Sequence, residues 1–349
     1  MKKMTLSMIS CLMLALPLAV TAQNKDAELL KEAQGLFEPI GKPPTKITDN
    51  DITVAKIELG KQLYFDPRLS SSGLISCNTC HNLGLGGDDG LPVAIGHDWK
   101  KGPRNSPTVF NSVFNEAQFW DGRASDLKEQ AKGPIQAGVE MNSTPELVVA
   151  TLKSIPGYQE PFTKAFGKGD VITFDNVARA IEAFETTLVT PDSAFDRYLK
   201  GDQKALNEQQ KRGLKTFIDQ NCASCHNGVN LGGQGYFPFG LIEKPETRLL
   251  PPGDKGRFAV TNTEADDYVF RASPLRNIAI TAPYFHTGQI RDLRDAVSVM
   301  ATTQLGAKMN DKDIDDVVVF LQTLTGKKPA VSYPDLPPST AKTPVPVND

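Results

Sequence analysis

Cys77-Asn78-Thr79-Cys80-His81 and Cys222-Ala223-Ser224-Cys225-His226 are two copies of one pattern, Cys-x-x-Cys-His, and together they use every cysteine of the chain except Cys11. In this pattern the two thiols attach covalently to the vinyl groups of a porphyrin, and the adjacent imidazole is placed to bind its iron. A zinc site would want its cysteine pairs about 12 to 20 residues apart, whereas well over a hundred residues separate Cys80 from Cys222. Two disulfides, or a thioredoxin-like redox site, would leave the histidine after each pair without a purpose. The chain is therefore read as a carrier of two c-type haems.

The repeat extends beyond the motifs. His81-Asn82 is followed by Leu85-Gly86-Gly87, and His226-Asn227 by Leu231-Gly232-Gly233. Each motif also follows a helical pattern. Ala55, Leu59 and Leu63 recur at i+4 before the first, with Pro67 as the stop, and Leu206, Gly213, Leu214, Phe217 and Ile218 share a face before the second. Val177, Ile181, Phe184 and Leu188 make a further stripe that ends before Pro191. Near the end, Asn310 is placed to cap a helix whose acidic first turn holds Asp311 and Asp313. Its buried face would be Ile314, Val317, Leu321 and Leu324, with Gly326 as its stop. Strand signals are weak, and Leu91 to Ile95 is too short and loop-bound to build a sheet. The expected fold is all-α, two cytochrome c-like haem domains with long loops and little strand.

With 349 residues, 40% hydrophobic and 23% charged side chains, the chain is long enough for two modest domains and excludes wholesale disorder. Lys2 and Lys3 precede an apolar run from Met4 to Val20, and Val20-Thr21-Ala22 is an acceptable cleavage site, so residues 1–22 are read as a signal peptide that takes Cys11 with it. No later stretch could span a membrane. Without that leader the 38 basic residues become 36 against 41 acidic ones, a formal charge of −5, which disfavours nucleic acid as a partner and suits a small basic protein. The expected organisation is an N-terminal haem domain over 23–190, a C-terminal haem domain over 191–326, and an extended, poorly packed tail over 327–349 with its six prolines.

Each haem iron needs a sixth ligand or an open site. Beyond His81 and His226, the supply after the leader is His97, His286, Met141, Met300 and Met309. Met300 falls between the second motif and the C-terminal helix, the chain order of a His/Met cytochrome c, a ligation that raises the potential. Met309 is the alternative, abutting the polar Asn310-Asp311 cap. His97 lies in the glycine-rich stretch 83–102, where a histidine could close the first iron in one state and release it in another, or simply be solvated. His286 could serve as a ligand, a hydrogen-bond partner or a haem-edge residue.

A resemblance covers nearly the whole chain after the leader. Leu59-Gly60-Lys61, Phe65-Asp66-Pro67-Arg68-Leu69-Ser70, Gly102-Pro103-Arg104-Asn105, Phe119-Trp120-Asp121-Gly122-Arg123-Ala124, Gly138-Val139-Glu140-Met141, Leu275-Arg276-Asn277 and Thr281-Ala282-Pro283-Tyr284-Phe285-His286 closely resemble, in order, the bacterial dihaem cytochrome c peroxidases. These are periplasmic enzymes that reduce hydrogen peroxide to water with electrons from a small c-type cytochrome or a small copper protein.

The resemblance implies roles. The first haem, on Cys77, Cys80 and His81, would be the low-potential peroxidatic one, blocked at rest by a mobile-loop histidine at His97. The second, on Cys222, Cys225 and His226 with Met300, would be the high-potential electron entry. Trp120 matches a tryptophan between the haems. Glu140 matches a distal glutamate suited to relaying a proton between the oxygens of peroxide, and Gln130, close in the chain, is an added candidate for positioning peroxide. The family also binds calcium between its domains, and the matching positions are Asn105, Thr281 and Pro283, the last two through main-chain carbonyls. A homodimer is expected. A related enzyme that oxidises tryptophans of a precursor protein has Tyr in place of the distal Met, so Met300 argues against that role. A simple dihaem electron carrier would need neither Glu140 nor the glycine-rich loop around His97.

Overall fold

The structure, a computed structural model, describes residues 16–347. The expected signal peptide falls mostly on residues 1–15, outside the described ones, and the first described helix, α1 (Leu16–Leu36), runs through its end. No described helix is long and apolar enough to cross a membrane.

The architecture is helical with one minimal hairpin and one short antiparallel strand pair. After α1 come β1 (Lys46–Ile47) and β2 (Asn50–Asp51), then α2 (Val54–Phe65), the single turn α3 (Cys77–Cys80), α4 (Leu127–Gln136), α5 (Pro145–Lys153), α6 (Gln159–Phe166) and α7 (Phe174–Glu185). The second half holds α8 (Ala194–Leu199), α9 (Glu208–Asp219), β3 (Tyr236–Pro238), α10 (Phe258–Thr261), β4 (Val269–Arg271), α11 (Leu293–Leu305) and α12 (Asp311–Gln322). β1 pairs antiparallel with β2 and β3 with β4. The expected helices start and stop for local reasons. Thr53 caps α2, and Asp66, held extended ahead of Pro67, ends it. Asn310 Oδ1 accepts the Asp313 N–H at 2.9 Å to open α12.

Each half is closed by one helix crossing of the same design. In the first, α2 lies on α7 so closely that a Cβ on Gly60 would strike the Ala180 carbonyl, with Phe184 beside it. In the second, α9 lies on α12, and a Cβ on Gly213 would strike the Asp316 carbonyl, with Phe320 beside it. Glycine is the only residue that fits either crossing. Around the first pack Leu59, Leu63, Val177, Ile181 and Phe184. Around the second pack Leu214, Phe217, Val317, Phe320 and Leu321.

Three features depart from the sequence expectation. The segment before residue 54 does not belong wholly with the first half: Leu29, Leu30, Ala33 and Phe37 of α1 and its exit pack into the second core, the Phe37 ring 5.5 Å from Phe195. Burying this apolar face drives the assignment, because the first core is already filled by α2 and α4 to α7. The tail is extended but pinned. Arg68 donates to the Pro337 carbonyl at 2.8 Å, Tyr333 packs on Phe65 at 5.0 Å, and the Val347 N–H donates to the Ser71 carbonyl at 2.9 Å. Gly326 is not the stop of α12, which closes at Thr323; it sits against the Thr190 carbonyl at the join between the halves, where any Cβ would collide.

Candidate functional site

Both haem motifs close in the same way. The His81 N–H donates to the Cys77 carbonyl at 2.9 Å, and the His226 N–H to the Cys222 carbonyl at 3.0 Å, so one tight turn presents two thiols and an imidazole together. Each imidazole is then oriented by a carbonyl: His81 Nδ1 lies 3.0 Å from the Pro107 oxygen and His226 Nδ1 3.3 Å from the Leu231 oxygen. A carbonyl can only accept, so the proton sits on Nδ1 and the Nε2 lone pair is left for a metal. Burial pushes both imidazoles below the usual histidine range, which keeps them neutral and ligating. Burial also raises the Cys80 thiol to about 12 and the Cys222 thiol to about 11, the character of attachment points rather than of exchanging redox thiolates. Among the described residues no cluster of three or more His, Cys, Asp or Glu is placed to hold a metal ion.

Two cavities open at these turns. The first, about 590 Å³, is lined by Cys80 and His81 together with Trp120, Gln130 and Glu140. Its size and its cysteine–histidine edge fit a porphyrin held by Cys77, Cys80 and His81. Burial raises the Glu140 carboxyl above its ordinary range, and the Arg123 guanidinium opposes the shift in part. Arg123 is itself stacked 3.4 Å over the Phe119 ring and paired with Asp121. The second cavity, about 190 Å³, is largely apolar and is lined by Cys222, Cys225, His226, Met300 and Met309. Both methionines therefore face the second site, while Met141 is buried in the first core. Trp120 lines both cavities, and its Nε1 donates to the Asn105 carbonyl at 2.9 Å.

His97 is held against the Glu140 loop without lining the first cavity. It is buried; its N–H donates to the Glu140 carbonyl at 2.7 Å and its Nδ1 lies 3.3 Å from Ser71 Oγ. The loop that holds it is strained: Asp98 and Trp99 both take left-handed backbone, at φ 60° and 57°, and Trp99 is 86% exposed. Gly96 packs against the Glu140 backbone with no room for a side chain, so the His97 loop and the Glu140 loop are docked on each other.

The three expected calcium positions lie on loops that meet. Thr281 packs against Gly86, the Ala282 carbonyl faces Gly90, and the Asn105 N–H donates to the His286 carbonyl at 2.7 Å. Asn105 spends its amide on the Leu91 carbonyl at 2.9 Å, leaving Oδ1 as an oxygen donor, and the carbonyls of Thr281 and Pro283 accept no hydrogen bond from the described residues. Hard oxygen donors of this kind fit calcium.

His286 lines the second cavity, stacked 4.2 Å from the Phe270 ring, and burial lowers its pKa to about 4, so it is a neutral wall residue. The sequence reading missed two buried charges. Glu185, at the end of α7, lines the first cavity with an unpartnered Oε2 and is pushed up to about 8 by burial. Arg271, at the end of β4, is 6% exposed. Neither has a sequence signature: a lone Glu in an amphipathic helix and a lone Arg in a three-residue strand read as surface charges.

Residues 54–204 match the family described as di-haem cytochrome c peroxidase, and residues 210–325 match the cytochrome c family. The chain is 60% identical over 334 residues to the cytochrome c551 peroxidase of Pseudomonas aeruginosa, covering 95% of this chain and 96% of that one. It is 48% identical to the cytochrome c551 peroxidase of Nitrosomonas europaea over 88% of this chain and 90% of that one. Among solved structures it is similar to a MauG-like protein associated with microbial copper homeostasis, with a TM-score of 0.73 and 27% identity over 82% of this chain and 93% of that one.

Proposed function

Since the chain belongs to the di-haem cytochrome c peroxidase family and is a cytochrome c peroxidase with two haem-binding cytochrome c domains, we propose that it reduces hydrogen peroxide at the first haem with electrons received at the second. When bound, the haem at His81 supplies the iron that cleaves peroxide, and the haem at His226 supplies the store through which electrons enter. Support for this division comes from one arrangement: Glu140, Gln130 and Trp120 line the cavity of His81, whereas Met300 and Met309 line that of His226.

The residues around the first cavity act on protons and position. Glu140 takes the proton from the near oxygen of peroxide and delivers it to the departing one, which its desolvated carboxyl suits. Gln130 orients the peroxide. Trp120, on the wall common to both cavities, packs the path between the haems. His97 would close the first haem in the resting state; in support, it lies bonded to Ser71 and to the Glu140 backbone at the edge of that site, on a loop that could deliver it. Asn105, Thr281 and Pro283 would hold calcium at the join of the halves, the domains being 23–190 and 191–326 with α1 lent to the second. The enzyme works in the periplasm as a homodimer after loss of residues 1–22, and its donor is a small c-type cytochrome or copper protein.

The test is peroxide-dependent oxidation of a reduced small cytochrome c by the haem-loaded protein with calcium, with and without prior one-electron reduction. Turnover only after priming is the expected result and supports the His97 gate; turnover without it keeps the peroxidase and removes the gate. No turnover in either form, with ferrous haem still passing electrons, would leave a dihaem carrier, or an oxidase for another substrate.

The two methionines give a further prediction. Met300→Leu is expected to lower the potential of the second haem by at least ~60 mV, tenfold in a one-electron equilibrium, and to remove its thioether–iron charge-transfer band. Met309→Leu is expected to leave both unchanged. The opposite pattern would move the ligand to Met309.

A further inference from the structure

Arg271 is the one buried guanidinium among the described residues that lines a haem cavity without a carboxylate. Arg276, at equal depth, is paired with Asp196 at 2.8 Å, and Arg104 with Asp121 at 2.7 Å and with Asp254 at 2.5 Å. Arg271 makes no salt bridge: its backbone N–H donates to the Trp120 carbonyl at 2.9 Å, its Nε reaches the Phe119 carbonyl at 3.4 Å, and its buried Nη1 has no partner. Yet it is 6% exposed. An unpaired cation at that depth is costly unless a counter-charge arrives from elsewhere, and a guanidinium is shaped to take a carboxylate on two donors.

Its place shows where that carboxylate comes from. Arg271 and Trp120 are the two residues that line both cavities. They are joined directly, backbone to backbone, where β4 runs past the 119–122 turn. Each haem carries two propionates on the edge opposite its cysteine attachments, and among the described residues no acid bonds to Arg271, Glu116 acting on it only through space.

We propose that Arg271 is the counter-ion for haem propionates meeting at the wall between the two cavities, so that one side chain holds the porphyrin edges in register and sets their potentials. It is a positioning residue, with Trp120 as its backbone anchor. The inference rests on haem occupancy of both motifs and is read without peroxide. A fixed cation beside a haem favours the added electron, so its removal lowers the potential.

The test is spectroelectrochemical titration of the haem-loaded protein. Arg271→Met is expected to lower the potential of at least one haem by about tenfold in the one-electron equilibrium, ~59 mV. Arg271→Lys keeps the charge and is expected to recover most of that shift. Potentials of both haems within threefold of wild type in Arg271→Met overturn the proposal. A second measurement needs no variant: in the wild-type holoprotein, resonance Raman propionate bending bands are expected to shift on exchange into D2O, and bands insensitive to exchange overturn the pairing even if Arg271→Met fails to retain its haems. Absence of peroxide turnover in the wild-type holoprotein, with the potential shift of Arg271→Met present, would count against the peroxidase reading alone.

Discussion

Glu140→Gln is expected to lower peroxide turnover by about 10²- to 10⁴-fold, the contribution of a positioned general acid–base group, while haem content and absorption spectra stay as in the wild type. The substitution keeps the size and hydrogen bonding of the side chain and removes only its ability to carry a proton. The same cavity is lined by Gln130, whose amide has no acidic proton to relay. Because Glu140 is desolvated and Arg123 only partly opposes the resulting shift, its carboxyl is closer to the balance needed for taking and returning a proton than a surface glutamate would be. The measurement is kcat at saturating donor with the primed enzyme. A fall of less than tenfold would remove Glu140 from the proton path.

Arg276→Met is expected to destabilise the second half by ~3–5 kcal/mol, the usual effect of stripping a buried ion pair of one partner. Arg276 and Asp196 are almost fully buried, at 1% and 0%. Arg276 also donates to the Val229 carbonyl at 3.0 Å and the Glu38 carbonyl at 2.9 Å, while Asp196 accepts the Ile40 and Ser193 N–H groups, each at 3.0 Å. One guanidinium thus ties the segment after α1, the start of α8 and the loop beyond the second haem motif. Urea unfolding of the holoprotein followed by tryptophan and haem signals measures the loss, and Arg276→Met with Asp196→Asn is expected to recover part of it, since the stranded charge is gone. A shift below ~1 kcal/mol would mean that the surrounding hydrogen bonds, not the pair, hold this corner.

What could be read from the sequence is what short-range chemistry encodes. The haem turns are legible because five consecutive residues carry the whole geometry, and α7 and α12 because their buried faces recur at helical spacing. Glu140, Trp120 and Gln130 were legible through resemblance and chain proximity, and they do share the first cavity. Long-range packing was not legible. Nothing in Leu29, Leu30 and Phe37 says which of two cores they will fill, and the proline-rich tail reads as loose because its anchors, Arg68, Phe65 and Ser71, lie more than two hundred residues away. Gly326 looks like a helix stop until the Thr190 carbonyl is seen against it. Arg271 needed both cavities before its missing partner could be noticed.

The paired glycine crossings bear on the order of assembly. In each half the cysteine turn comes between the two helices of the crossing, and the touching residues lie more than a hundred positions apart: Gly60 waits for Ala180, and Gly213 for Asp316. Contacts of such separation form late. Once they form, Cys77 packs against the first core, Cys222 against the second, and burial holds their thiols protonated. Thioether formation is therefore expected before α7 docks on α2 and α12 on α9, while the cysteine turns are still open.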